Sequence, residues 1–334
     1  MRVGISGYGL AGRTFHAPLI ASLGHEIVGV LTNSPERVEH VAVDFPTCQV
    51  FSTFDQLLDL ELDLVIIATA NTLHKEQALA AIEGGIAVVV DKPFALSLKD
   101  TNEILSAADK AGVLVTTFFN RLWDSDTLTA AKAIADNTIG KPFRFESRFE
   151  RFRPELRPGA WRENSARDGG GLLFDLQPHL LSTSLHLFGP ADLVGASVRS
   201  IRGSGDDDAV LTLKHESGVD SYLSASAIMG SPRPRIRLSG DRGSLIVNEL
   251  DPQEDLLRRG ERPNDGIWSS DTRSKTFLAR GESVEPYGAI AGNYGEFYRE
   301  VFSALNSGTS LTVTHQLIRS VATIIDQARE ISVR

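Results

Sequence analysis

Apolar and polar residues follow two different rhythms in the two parts of this chain. In the first part, short apolar runs alternate with stretches of helical period. Val3-Gly4-Ile5-Ser6 reads as a strand, and Arg13 to Leu23 as a helix with Phe15, Leu19, Ile20 and Leu23 on one side. Glu26 to Leu31 is a second strand, Val50-Phe51 a short third and Thr53 to Leu60 a short helix. Leu62 to Ala68 is almost continuously apolar, as a strand covered on both faces requires. A helix then runs to Glu83, where Gly84-Gly85 stops it, and Ile86 to Val90 is another buried strand. Ser34 with Pro35 and Ser97 are helix starts, and Gly112 follows a helix ending at Ala111. Val113 to Phe119 closes the set. Strand and helix alternating at this spacing predict an α/β Rossmann domain, a doubly wound parallel sheet. Ligands of such sheets bind at the carboxyl ends of the strands, so Gly9, Thr32, Asn71 and Lys92 are expected along one edge.

The rhythm changes after about residue 121. Asp124 to Asp136 reads as a connecting helix. Phe143, Phe145 and Phe149 then alternate with Arg144, Glu146, Arg148 and Glu150, a strand with one apolar and one charged face. Further strand-like runs are Leu193 to Ile201, Ala209 to His215, Asp220 to Ile228, Ile236 to Leu238 and Ser244 to Asn248, separated by Gly, Asp and Ser. Val301, Leu305 and Leu317 to Ala328 read as closing helices. The expected organisation is a dinucleotide-binding domain over 1–121. It is followed over 122–334 by an α+β domain with a large, open, mainly antiparallel sheet.

Composition narrows the partners. A net charge of −9 argues against nucleic acid, since phosphate binding needs a basic surface. Cys48 is the only cysteine, which excludes an internal disulfide and a cysteine-built metal site. No apolar run approaches the eighteen residues or so of a membrane span. The first strand begins at the N-terminus, leaving no room for a signal peptide, so a reducing cytoplasm is the expected location.

Candidate chemistry begins at Gly7-Tyr8-Gly9-Leu10-Ala11-Gly12, a G-x-G-x-x-G between strand and helix. Gly7 suits the tight turn, Gly9 the approach of a pyrophosphate, and Gly12 close helix–strand packing. The helix start supplies N–H groups for the anion. The second strand ends in Thr32-Asn33-Ser34 with Arg37 beyond, and no acid stands there. An acid would repel a 2′-phosphate and an arginine pairs with it, so NADP is the expected cofactor, with NAD still open. Arg37 also reads as a solvated helix charge. Lys92 ends a buried strand before Pro93, at the ligand edge; it reads either as a surface charge or as a functional cation, and the Lys92-Pro93 bond as either isomer.

In Gly169-Gly170-Gly171-Leu172-Leu173-Phe174-Asp175-Leu176-Gln177-Pro178-His179, Asp175 and His179 stand one helical turn apart, with Pro178 either kinking the helix or restarting it. A carboxylate beside an imidazole suits general-base chemistry; a helix-start Asp and a packed His are the plainer reading of the same pair. His186 adds no metal-ligand spacing, and no metal is expected. Arg151, Arg153, Trp161 and Arg162 fall in an irregular stretch before the glycines. It reads either as a substrate-gripping segment, with Trp161 against a sugar ring, or as a surface loop.

Four ordered motifs together resemble the Gfo/Idh/MocA oxidoreductases: the glycine turn, Ala68-Thr69-x-Asn71-x-x-His74, Asp91-Lys92-Pro93, and the glycine run ending in Asp175-x-x-x-His179. Phe119 to Asp126 and Phe149 to Glu155 are similar to the NADP-dependent scyllo-inositol dehydrogenase branch. The resemblance implies Lys92, Asp175 and His179 as catalytic residues. It also implies a dinucleotide site that includes Leu10, Ala11, Thr69, Asn71, His74 and Asp91, and a substrate side that includes Asn120 and Arg121. The implied substrate is a polyol or sugar, and the implied assembly a homodimer or homotetramer through the second domain's sheet. Asp91 stands where the family most often has Glu, Gln177 replaces a frequent Gly, and Ser182 replaces an acid. The last two are expected to line or border the substrate side. A cofactor-bound regulator or binding protein without turnover is the alternative on the same scaffold.

Overall fold

A computed structural model describes residues 1–156, 169–203, 205–263 and 275–332. The chain divides into two compact units. The first comprises Met1–Phe118, Glu254–Trp268 and Tyr294–Ile318, and the second Phe119–Gln253, Ser269–Asn293 and Arg319–Arg334. A single division near 121 would place both later segments of the first unit in the second.

In the first unit, β1 (Arg2–Ser6), β2 (Glu26–Leu31), β3 (Gln49–Phe51), β4 (Leu64–Ile67), β5 (Ala87–Val90) and β6 (Val115–Thr117) form a wholly parallel sheet in the order β3-β2-β1-β4-β5-β6. This is the doubly wound order, whose direction reverses beside β1 and opens a crevice at the strand ends there. Every residue of β4 and β5 is buried, as their unbroken apolar runs require. The intervening helices are α1 (Ala17–Ser22), α2 (Pro35–Asp44), α3 (Phe54–Leu58), α4 (His74–Glu83) and α5 (Leu98–Ala111).

Helix ends follow their capping residues at α5 and less closely elsewhere. Ser97 Oγ accepts the Asp100 N–H at 3.0 Å, and Gly112 closes α5 at φ +66°. Ser34 does precede Pro35 at the start of α2, but its side chain makes no capping bond, so the proline's fixed φ is the start signal there. The helix after the glycine turn also departs from expectation. Ala11–His16 is a π-helical turn that runs directly into α1, where the sequence predicts one α-helix from Arg13.

The second unit begins with α6 (Ser125–Ala135) and β7 (Pro142–Glu150), followed by α7 (Leu172–Asp175) and α8 (Gln177–Phe188). Then come β8 (Ala191–Arg199), β9 (Asp208–His215), β10 (Asp220–Ser226), β11 (Ile236–Gly240) and β12 (Gly243–Val247). The short α9 (Gln253–Arg258), β13 (Thr276–Arg280) and β14 (Ser283–Tyr287) were not legible in the pattern. The closing helices are α10 (Gly295–Ser307), in the first unit, and α11 (His315–Ser332).

Eight strands form one sheet in the order β14-β13-β12-β11-β7-β10-β9-β8, in which only β7 and β10 run parallel. One face buries Phe145, Phe149, Leu211, Leu223, Leu238 and Leu245, with α8 packed against β10 and β7. The opposite face carries Arg144, Lys214, Tyr222 and Arg237, all exposed. Among the described residues no helix is long and apolar enough to cross a membrane.

Candidate active site

The three glycines after β1 are needed for different reasons, and the geometry separates them. Gly7 sits at φ +95°, and a Cβ there would lie 2.5 Å from the Ala68 carbonyl oxygen. A Cβ on Gly12 would lie 2.0 Å from the Gly7 carbonyl oxygen, so any side chain would push the helix off the strand. Gly9 is different. Its nearest neighbours would be the guanidinium atoms of Arg37 at 3.6 Å, ordinary contact distance. The chain itself therefore demands the first and third glycines, while the second leaves an open face beside a cation. That is the surface a pyrophosphate needs. Thr32 is buried and its Oγ1 accepts the Ser34 N–H at 3.4 Å; Asn33 and Arg37 are exposed. Arg37 makes no ion pair among the described residues, which leaves its charge available to an incoming anion. The residues present thus fit a dinucleotide.

The Lys92 turn is fixed from several sides. Lys92-Pro93 is cis. The Lys92 N–H donates to Asp91 Oδ1 at 2.8 Å, and the same oxygen lies 3.7 Å from His16 Nε2. Tyr298, from α10, places its hydroxyl 2.5 Å from His16 Nδ1. With the carboxylate on the Nε2 side, the consistent tautomer carries its proton on Nε2 and accepts from the tyrosine through Nδ1. Burial raises the Tyr298 pKa, with Asp91 adding to it, so the phenol stays a donor. Burial alone would raise the Asp91 carboxyl; the His16 N–H facing it and the neighbouring Lys92 outweigh that and hold Asp91 down at about 2. His74 is buried, and its Nδ1–H donates to the Pro93 carbonyl at 2.8 Å. Burial lowers its pKa, so the ring is neutral. The Thr69 and Ser6 hydroxyls both donate to Gln77 Oε1, at 3.2 and 3.0 Å. Asn71 is buried at the start of the 3-10 turn Asn71–Leu73. His74 and Thr69, expected at the cofactor, thus spend these groups on holding the turn. His16, Gln77 and Tyr298 belong to the same network and were not anticipated.

In the second unit, Asp175 is the last residue of α7, and α8 restarts at Gln177 with Pro178 in its first turn. The restart, one of the two options at Pro178, means that the pair straddles a break at Leu176. Asp175 is half-buried and His179 is buried. Phe149 presents an edge to the His179 ring, centroids 6.2 Å apart. Two guanidiniums lie over Phe149, Arg235 at 4.1 Å and Arg121 at 5.5 Å from its centroid. Each is matched by a buried acid: Arg121 Nη1 donates to Asp124 Oδ2 at 3.3 Å, and Arg235 Nε lies 3.2 Å from Asp126 Oδ2. Nearby, Asp251 accepts the Ser125 and Gln253 N–H groups at 2.6 and 2.7 Å, yet burial still pushes it up to about 6. The run Asn120 to Asp126 is therefore buried throughout, Asn120 and Arg121 included, and its charged members Arg121, Asp124 and Asp126 lie within the layer around Phe149.

Gln177 and Ser182 turn inward, against expectation. Gln177 Nε2 donates to the carbonyls of Ala209 and Leu223, at 2.8 and 3.3 Å, tying α8 to the sheet, and Ser182 Oγ donates to the His179 carbonyl at 3.1 Å. Both side chains are fully buried, so these departures from the family pattern serve packing. Arg151 and Arg153 continue the chain past the end of β7 beside the end of β10, their N–H groups donating to Ser226 and Ala227 carbonyls at 2.9 and 2.6 Å. Trp161 and Arg162 lie outside the described residues.

A dinucleotide-binding Rossmann unit joined to a unit built on an eight-stranded, mostly antiparallel sheet defines a class of two-part oxidoreductases. Residues 1–119 match the oxidoreductase family with NAD-binding Rossmann fold, and residues 127–246 match the GFO/IDH/MocA C-terminal domain. The chain belongs to the Gfo/Idh/MocA family. It is 33% identical to scyllo-inositol 2-dehydrogenase (NADP(+)) IolW of Bacillus subtilis, over 99% of this chain and 94% of that one. It is 37% identical to the uncharacterized oxidoreductase YdgJ of Escherichia coli, over 92% and 89%. The solved structure of yvaA from Bacillus subtilis superposes with a TM-score of 0.90 at 32% identity, covering 100% of this chain and 98% of that one.

The Asp91 environment has a measurable consequence. A carboxyl held at about 2 in the folded chain and near ~3.9 when unfolded contributes about 2 kcal/mol at neutral pH. That contribution is present above the unfolded value and is lost as pH falls through the folded one. Asp91→Asn keeps the acceptor for the Lys92 N–H and removes the charge. Denaturant unfolding should show the variant about 2 kcal/mol less stable at pH 7, with the gap narrowing from about pH 4 towards about pH 2. Equal stability at pH 7 would contradict a carboxylate held in its charged form by the groups around it.

Proposed function

We propose that this chain is an NADP-dependent dehydrogenase or reductase acting on a ring hydroxyl, or the corresponding ketone, of an inositol-like polyol or sugar. The observation that carries the cofactor preference is Arg37, whose guanidinium lies over Gly9 beside a strand end that holds Thr32, Asn33 and Ser34 and no acid. A 2′-phosphate gains charge-assisted bonds there, where a carboxylate would repel it. A relative named for NADP(+) and scyllo-inositol, similar over nearly the whole chain, supports both halves of the reading.

When bound, the dinucleotide supplies or accepts the hydride at its nicotinamide ring. His179 takes the proton from the substrate hydroxyl in oxidation and returns it in reduction, the task for which imidazole is the side chain of choice near neutral pH. Asp175 orients that ring. Lys92 donates a hydrogen bond to the reacting oxygen and stabilises the negative charge that develops on it. Arg151, Arg153, Trp161 and Arg162 are assigned to the substrate side. The exposed sheet face around Arg144, Tyr222 and Arg237 is the surface through which copies would pair into a dimer or tetramer. With a single cysteine and no long apolar helix among the described residues, a cytoplasmic location is consistent with this role.

The cofactor assignment predicts tighter binding of NADPH than NADH in a fluorescence titration. Arg37→Ala should weaken NADPH by about 10–100-fold, the worth of charge-assisted bonds to a phosphate, and weaken NADH distinctly less, since only NADPH carries the 2′-phosphate. Asn33→Asp should shift preference towards NADH. Wild type binding NADH more tightly sinks the assignment.

The proton-transfer assignment predicts that His179→Ala lowers kcat by about 10²–10⁴-fold while NADPH binding stays near wild type. Lys92→Ala should do at least as much harm. If both variants turn over the best polyol within about threefold of wild type, the roles given to these residues are wrong.

A further inference from the structure

Beside the glycine run, a carboxylate from the turn between β8 and β9 occupies the position that a Gly171 side chain would fill. A Cβ on Gly171, at φ +90°, would lie 1.9 Å from Asp206 Oδ1 and 2.6 Å from its Cγ. The other oxygen, Oδ2, accepts the Leu173 N–H at 2.7 Å, and the Asp206 backbone carbonyl accepts the Leu172 N–H at 2.9 Å. Helix α7 is only one turn long, so its first N–H groups have no partner within it. Asp206 supplies two of the missing acceptors. Three residues on, the same turn ends in Asp175, whose own N–H donates to the Gly171 carbonyl at 3.0 Å.

Asp206 is itself held in place. Its neighbour Asp207 accepts the N–H groups of Ile201 and Arg202, both at 2.8 Å, and the Arg202 Nε–H at 3.0 Å. The Asp207 N–H donates to the Arg199 carbonyl, and its carbonyl accepts the Ala227 N–H, both at 2.9 Å. This bracing makes the turn a firm post rather than a free loop. Burial pushes Asp206 up to about 6 despite the backbone N–H groups that favour its charge. A carboxylate kept at that cost beside a one-turn helix points to the helix as its purpose.

We propose that Asp206 is a positioning residue for the Asp175–His179 pair: it sets the start of α7, and through it the direction from which Asp175 meets the imidazole. The proposal rests on the reading that these two residues carry the proton chemistry. It also explains the glycine at 171 from within the chain, because Asp206 fills the space a side chain would need.

The test combines a measurement without turnover and one with it. In cofactor-free protein, amide hydrogen exchange should quicken at Leu173 in Asp206→Ala by about tenfold or more, because the side-chain acceptor is lost while the backbone acceptor of Leu172 stays. With NADPH and the best polyol or its ketone, the same variant should lose about 10–100-fold in kcat, as for a misplaced reacting group, with the NADPH dissociation constant unchanged. Asp206→Asn, which keeps an acceptor for the Leu173 N–H, should restore kcat to within about threefold of wild type. If Asp206→Ala does not fold, Asp206→Glu is read the same way, since it keeps the charge and moves it off Leu173. Unchanged exchange at Leu173, or unchanged kcat, overturns the proposal. His179→Ala in the same series separates the two claims: a kcat loss there with wild-type kcat in Asp206→Ala leaves the proton-transfer reading standing and rejects this one.

Discussion

At the start of the first unit, the Gly7 carbonyl stands 2.0 Å from where a side chain on residue 12 would begin. Much of that unit's ligand edge depends on this closeness. It brings the π-helical turn Ala11–His16 hard against the end of β1, with the Arg13 N–H donating to the Gly9 carbonyl at 3.0 Å. The same approach delivers His16 to Asp91, and Asp91 holds the Lys92 N–H. Cofactor motif and lysine turn are therefore parts of one packed arrangement. Tyr298 closes it from α10, which explains why a late segment of the chain belongs to this unit.

In the second unit, the corresponding constraint is buried charge. Arg121, Asp124, Asp126, Arg235 and Asp251 are all largely removed from water. Desolvating such groups costs several kcal/mol each and is recovered only when partners and geometry are good. Here the pairs bracket Phe149, whose ring edge meets His179. Arg121 and Arg235 lie over that ring while each also holds a buried acid, so the ring's neighbours are charged groups whose own partners are in place.

Much of this was legible in the sequence where burial is two-sided or periodic. Leu62 to Ala68 and Ile86 to Val90 announce strands because helices cover both faces. β14 has no such signal: four of its five residues are exposed, so no apolar face marks it. The glycine turn was legible because each glycine has its own geometric need. His16 and Tyr298 were not, since no local pattern links residues 282 apart. Gln177 and Ser182 show a different limit. Departure from a family motif identifies a changed residue but not where its side chain goes, and both turned to the interior. Asp206 was hidden for a further reason: in Asp206-Asp207-Asp208 an acidic run reads as a polar separator between strands, and its work is done on backbone N–H groups some thirty residues earlier.

The reaction proposed for this Gfo/Idh/MocA oxidoreductase moves a hydride between a polyol carbon and NADP. Incubating the protein with NADP and a panel of polyols deuterated at their ring carbons, inositols among them, tests it directly by NMR of the reduced cofactor. At least one polyol should place a single deuterium at nicotinamide C4, with the ketone formed in equal amount. Ketone formed without deuterium on the cofactor, or NADP bound yet never reduced across the panel, would contradict it.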